Sequence, residues 1–215
     1  MPAPSQTQSH LRHPLTALLG SVGHVRVLRA LASDKAPQSA PQLAAAAGLT
    51  PQGTRGVLDA LVRQRLVKAH GSGRTQLYQL NAAHPLASSL AALFRDEQSR
   101  WDGLMSSIRD VLDRHDAVSA AWLYGSVARG QDAADSDVDI ALLVRSQAAA
   151  DQVREALMPL EDAQQIRISV TALTAKDLAA LPEDDPWWVN VMREARALKG
   201  AAPEQARRRL AQAVA

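Results

Sequence analysis

The chain has 215 residues, 47% of them apolar and 3% aromatic, enough for one large domain or two modest ones. It contains no cysteine, which excludes disulfides and thiolate metal sites. The net charge of +2 conceals a division: residues 1–84 carry nine Lys/Arg against Asp34 and Asp59 alone, whereas residues 85–215 carry 15 basic and 20 acidic residues. The basic part suits nucleic acid, and the acidic part suits a metal or a neutral group.

The start, "MPAPSQTQSHLRHPLTALLG", lacks the pattern of a signal peptide and reads as a flexible arm over 1–19. No run approaches the roughly 18 apolar residues of a membrane span, so a soluble cytoplasmic protein without a membrane partner is expected. In "GHVRVLRALAS" the spacing of Val25, Leu28 and Leu31 predicts a helix over about 21–32. "SAPQLAAAAGLT" then gives a Ser39 start, a short Ala-rich helix and a Gly48 stop. "TPQGTRGVLDALVRQRLV" restarts with Thr50 as N-cap and Pro51 at the first helical position. Gly56 inside this helix costs about 1 kcal/mol relative to Ala; close helix packing would account for it. "LVKAH" and "TQLYQL", separated by "GSGR", read as a hairpin.

That order of elements resembles winged-helix transcription regulators over about residues 20–81. The resemblance places the 51–65 helix in the major groove of duplex DNA, with Gln52, Thr54 and Arg55 near its exposed start. Arg74 on the wing would reach phosphate or the minor groove. The alternative is a helical dimerisation module with a solvated surface. "HPLASSLAALFRDEQSRWDGLMSSIRDVLDRHD" continues with helical spacing, as one long helix or two broken near Asp102-Gly103. Such a connector either pairs with a copy of itself in a homodimer or packs on the following sheet.

"AVSAAWLYGS" reads as a buried strand ending at Gly125-Ser126, and "SDVDIALLV" as a second strand. Residues two apart on a strand share a face, so Asp137 and Asp139 point the same way while Val138 and Ile140 enter the core. Two such carboxylates repel unless a cation lies between them, and Mg²⁺ takes a few carboxylates together with water and substrate phosphate. Gly125 lets backbone approach a phosphate, and the following amides and hydroxyl can donate to it.

"GSVARGQDAADSDVDI" resembles the nucleotidyltransferase superfamily, in particular its minimal domains, over about residues 117–181. The resemblance implies catalytic and metal-binding roles for Asp137 and Asp139, with Mg²⁺ or Mn²⁺ as cofactor. It implies that Gly125 and Ser126 hold the phosphates of a nucleoside triphosphate. Arg129 is either a phosphate contact or a surface ion pair. Active members carry a third acid on the next strand; here, in "QIRISVTALTAKDL", that position falls on Ser169, a degenerate third-acid position. Its hydroxyl is no base at neutral pH, and such a base is worth typically 10²–10⁴-fold in rate. If a base exists elsewhere, Glu161, Asp162 and Asp177 come first.

The expected fold class is α+β: an N-terminal winged helix-turn-helix (20–84), a long connecting helix (85–116) and a C-terminal nucleotidyltransferase α/β domain with a small mixed sheet (117–200). "DDPWWVNVMREARALKG" reads as one helix covering that sheet, with the Trp pair in the core. Residues 201–215 read as a basic tail, Arg207 to Arg209, with a frayed helix and a weak phosphate contact as its open readings. Two functions remain open: a transferase moving a nucleoside monophosphate to a hydroxyl acceptor, or a catalytically degenerate nucleotide-sensing transcription regulator. An antitoxin-like protein with a toxin partner is a third.

Overall fold

The computed structural model describes Leu15 and residues 18–214, apart from the side chains of Arg74, Ala213 and Val214. The arm expected over 1–19 lies almost wholly outside the described residues. The chain divides into two compact units, Met1–Arg100 and Trp101–Ala215.

In the first unit, α1 (Val22–Ser33) starts at Ser21, whose hydroxyl accepts from the amide of His24. After β1 (Gln38–Ser39), α2 (Ala40–Ala47) opens with a reciprocal cap between Ser39 and Gln42. It closes on Gly48 at φ +60°, a conformation that glycine adopts without steric cost. α3 (Pro51–Arg63) is capped by the Thr50 hydroxyl, which accepts from the Gly53 amide at 3.1 Å. β2 (Val67–His70) and β3 (Leu77–Leu80) form the hairpin, and β1 adds to its other side, giving the order β1-β3-β2. Leu28, Leu31, Leu43, Leu58 and Leu61 are at most 2% exposed and join the three helices in one core. Each fully buried leucine contributes roughly 1.5–3 kcal/mol. Helix, helix-turn-helix and strand-anchored hairpin together make a winged helix.

α4 (Ala87–Asp113) runs unbroken through Asp102-Gly103. Ala87, Leu90 and Phe94 belong to the core of the first unit, and Leu104, Met105, Ile108, Val111 and Leu112 to that of the second.

The second unit is built on a mixed sheet in the order β6-β5-β4-β7. Its elements are β4 (Val118–Tyr124), α5 (Gly125–Arg129), β5 (Val138–Val144), α6 (Gln147–Gln164) and β6 (Ile168–Thr174), then α7 (Ala175–Ala180), α8 (Pro186–Glu194), β7 (Arg196–Lys199) and α9 (Pro203–Val214). Only β5 and β6 run parallel. Both faces are covered: Leu123, Ile140 and Leu142 pack with Ile108 and Val153, while Trp122, Ala141 and Leu143 pack with Leu178, Trp188 and Val191.

Two expectations change here. The helix from Pro186 stops at Glu194, because Ala195 is extended and Arg196–Lys199 pairs with β4 as an edge strand. Lys199 helps to fix that strand: its ammonium donates to the carbonyls of Leu112 and His115, at 2.7 and 3.1 Å, at the C-terminal end of α4. The basic tail is mostly the helix α9, packed through Ala206 where a frayed one was expected. Arg207 lies 5.8 Å over the Trp188 ring and donates to the Leu181 carbonyl, so it is no free phosphate contact.

Candidate functional site

β4 delivers the chain to Gly125, which turns it into α5 at φ +78°. A side chain at Gly125 would be strained by that φ, and its Cβ would also overlap the Asp139 carboxylate, lying 3.1 Å from Asp139 Cγ. Glycine is therefore required twice. Asp139 in turn pairs in register with Tyr124 on β4 and Ser169 on β6. The three residues form a row across one end of the sheet, closed by a hydrogen bond of 3.1 Å between the Tyr124 and Thr171 hydroxyls.

Asp137 stands just before β5, which begins at Val138. Burial pushes the Asp139 carboxyl above its ordinary range, and the charge of Asp137 raises it further; a hydrogen bond from Ser169 and the charge of Arg129 act in the opposite sense. The two aspartates thus act on each other, and Ser169 touches one of them. Its hydroxyl sits where the resemblance puts a third acid.

Arg129 is engaged in an ion pair. Its Nη1 donates to both oxygens of Glu194, at 2.7 and 2.6 Å, and its Nε donates to Gln131 at 3.0 Å. The Glu194 side chain is only 8% exposed and also accepts from the Gly125 amide at 3.3 Å. Hydrogen bonding from Arg129 holds the Glu194 carboxyl below its ordinary range. Glu194 was absent from the sequence reading. No motif marks it, and its contact with Arg129 spans 65 positions.

The substitute acids named above are occupied elsewhere or exposed. Glu161 accepts from the Ile168 amide at 2.6 Å at the start of β6. Asp177 caps α7 in a reciprocal bond with Thr174, and Asp162 is exposed. The Trp pair divides: Trp188 is core at 1% exposure, whereas Trp187 is half-buried and packs edge-on against Tyr124 at 5.7 Å.

Among the described residues, no three His, Asp or Glu side chains are grouped closely enough to hold a metal ion by themselves. The donor set fits a different arrangement. Two hard carboxylates beside a glycine that permits close approach suit a small cation that completes its shell with phosphate and water.

On the winged helix, Gln52 and Arg55 are exposed at the start of α3. Thr54 is withdrawn from the DNA-facing set: it is fully buried, and its hydroxyl donates to the Thr50 carbonyl at 3.0 Å. The Arg74 side chain lies outside the described residues. A Cβ at Gly56 would meet no atom within 4 Å, so this glycine does not serve helix packing within the chain.

Residues 106–181 match the family model described as Polymerase beta, Nucleotidyltransferase. Residues 13–90 match the model of an O-methyltransferase dimerisation domain. No curated protein matches. Among solved structures, the AntR antimony-specific transcriptional repressor is 21% identical, over 48% of this chain and 96% of that one, with a TM-score of 0.37. A toxin-antitoxin structure with AMP-PNP is 18% identical, over 51% and 86%, with a TM-score of 0.36. The MarR family regulator SPO1453 from Silicibacter pomeroyi DSS-3 is 24% identical, over 47% and 73%, with a TM-score of 0.35. None of the helices is long and apolar enough to cross a membrane, among the described residues.

Proposed function

We propose that this chain binds a nucleoside triphosphate with a divalent cation and couples that site to a DNA-binding winged helix. Asp137 and Asp139 would hold Mg²⁺ or Mn²⁺, and the cation would supply charge neutralisation at the phosphates. Gly125 and Ser126 would take the phosphates, and Arg129 would join them. The observation that carries this reading is the fit of Gly125 against Asp139: besides making the turn into α5, the glycine leaves open the space beside a carboxylate that any side chain would fill. Gln52 and Arg55 would meet duplex DNA, and the long helix α4 suits a homodimer.

The site binds better than it transfers. Ser169, beside Asp139, lacks the basicity to take a proton from an acceptor hydroxyl at neutral pH. The primary reading is therefore a nucleotide-sensing regulator. A transferase is the second, favoured by the match of residues 106–181 to the nucleotidyltransferase model. Incubation with each labelled triphosphate and Mg²⁺, scoring retention and covalent label transfer separately, tests both. Retention without transfer is expected. Transfer at an ordinary enzyme rate supports the second reading, and no retention of any triphosphate removes both.

A further inference from the structure

The side chain that sequence reasoning missed occupies the donors that a phosphate would need. Arg129 and the Gly125 amide both point at Glu194. The carboxylate is covered while the guanidinium is 40% exposed, so an incoming anion meets Arg129 from solvent and finds its inner partner already in place. The local charge compounds this: three acids, Asp137, Asp139 and Glu194, stand against the two guanidinium groups of Arg129 and Arg193. A bare polyphosphate would be repelled. One that arrives with a divalent cation brings the charge that the two aspartates need and can then compete for Arg129.

We propose that Glu194 is a specificity-determining residue of this site, an internal anion that only a cation-chelated polyphosphate displaces. The inference rests on the phosphate-site reading given above. In the exchange phosphate oxygens replace the carboxylate oxygens on Arg129 and the Gly125 amide, and the released Glu194 carboxylate turns to solvent, where water supplies its hydrogen bonds. Glu194 is also the last residue of α8, next to extended Ala195, so its side chain can leave without unwinding the helix.

Titration calorimetry of the full chain with inorganic tripolyphosphate, which has no base to recognise, tests this in the presence of Mg²⁺ and of EDTA. Wild type should bind with Mg²⁺ only. Glu194→Gln should bind on the order of tenfold more tightly with Mg²⁺, and measurably in EDTA. Should that variant fail to fold, Glu194→Asp shortens the reach toward Gly125 and should shift the Mg²⁺ affinity in the same direction by less. Unchanged or weaker binding in the folded variant overturns the inference while leaving the phosphate site intact, since Glu194 would then merely position Arg129. Absence of binding by every form, with Mg²⁺ present, overturns the phosphate-site reading itself.

Discussion

The exposed start of α3 and the end of the mixed sheet place polar residues in opposite ways. Gln52 and Arg55 make no hydrogen bond or ion pair among the described residues, and an apolar helical core holds them up to solvent. Asp139, Ser169, Arg129 and Glu194 instead touch one another or are displaced electrostatically by their neighbours. Under the proposed function, the difference follows from the ligand. A polyanionic duplex is met by charge spread over a surface, with counterion release supplying affinity. A single cation and its phosphates require donors fixed by the fold within a few ångströms, and that demands burial, close approach and a residue without a side chain.

The sharpest way to break the comparison is to remove the charges at the sheet. Asp137→Asn together with Asp139→Asn should lower Mg²⁺-dependent triphosphate binding on the order of a hundredfold or more, given that losing even an outer-shell partner costs 10–100-fold in metal affinity. The same protein should still shift duplex DNA in a gel assay, with unchanged salt dependence. Retained nucleotide binding in calorimetry would sink the assignment of the pair.

Two glycines give the next contrast. Gly125→Ala forces a side chain to φ +78° and into the Asp139 carboxylate. It should cost about 1–3 kcal/mol in thermal or urea unfolding and take nucleotide binding with it. Gly56→Ala, in open space inside a helix, should stabilise by about 0.5–1 kcal/mol. If α3 lies against DNA, the same Gly56→Ala should weaken DNA binding although it strengthens the fold, because its methyl group occupies the approach. Gain in both properties would move the DNA contact away from this helix.

The sequence was most legible where structure is local. Thr50, Pro51, Ser39 and Gly48 name their own helix boundaries, because caps are short-range bonds. Gly125 and Ser169 were reached through the resemblance to the nucleotidyltransferase signature, and of the two aspartates only Asp139 lies within the strand, since β5 begins at Val138. Thr54 misled: its polar side chain bonds back to its own helix, which exposure alone reveals. Glu194 was illegible because no spacing rule links a helix end to a turn so distant in sequence. The stretch from Pro186 read as one helix through Lys199, while the backbone of Arg196–Lys199 was needed at the open edge of β4.

Ser169→Asp probes the row across the sheet with a smaller effect. A third carboxylate in register with Asp139 should tighten Mg²⁺ binding about tenfold. It should also lower the unfolding temperature of the metal-free protein, through repulsion among three acids, and adding Mg²⁺ should restore it. A variant indifferent to Mg²⁺ in both measurements would show that the row does not face the cation.

The smallest effect compares one chemistry in the two settings. In the winged-helix unit, Arg29 donates to Glu97 through Nε at 2.5 Å and Nη2 at 2.8 Å, with side chains 42% and 52% exposed. In the sheet unit, the Glu194 side chain of the corresponding pair is 8% exposed. Hydrogen bonding from the partner arginine lowers both glutamate carboxyls. A lowered carboxyl binds fewer protons in the folded state than in the unfolded one, so its contribution to stability is present above the unfolded value and is lost as pH falls through the folded one. Glu97→Gln should therefore change stability at neutral pH by about 0–1 kcal/mol, less in high salt, and should slightly flatten the acid limb of the unfolding curve. Glu194→Gln should flatten that limb more and respond less to salt, since water and ions reach its carboxylate poorly. Equal salt sensitivity of the two variants in urea titrations would mean that Glu194 is as free in solution as Glu97, and its hold on Arg129 and Gly125 would then be too weak to compete with a phosphate.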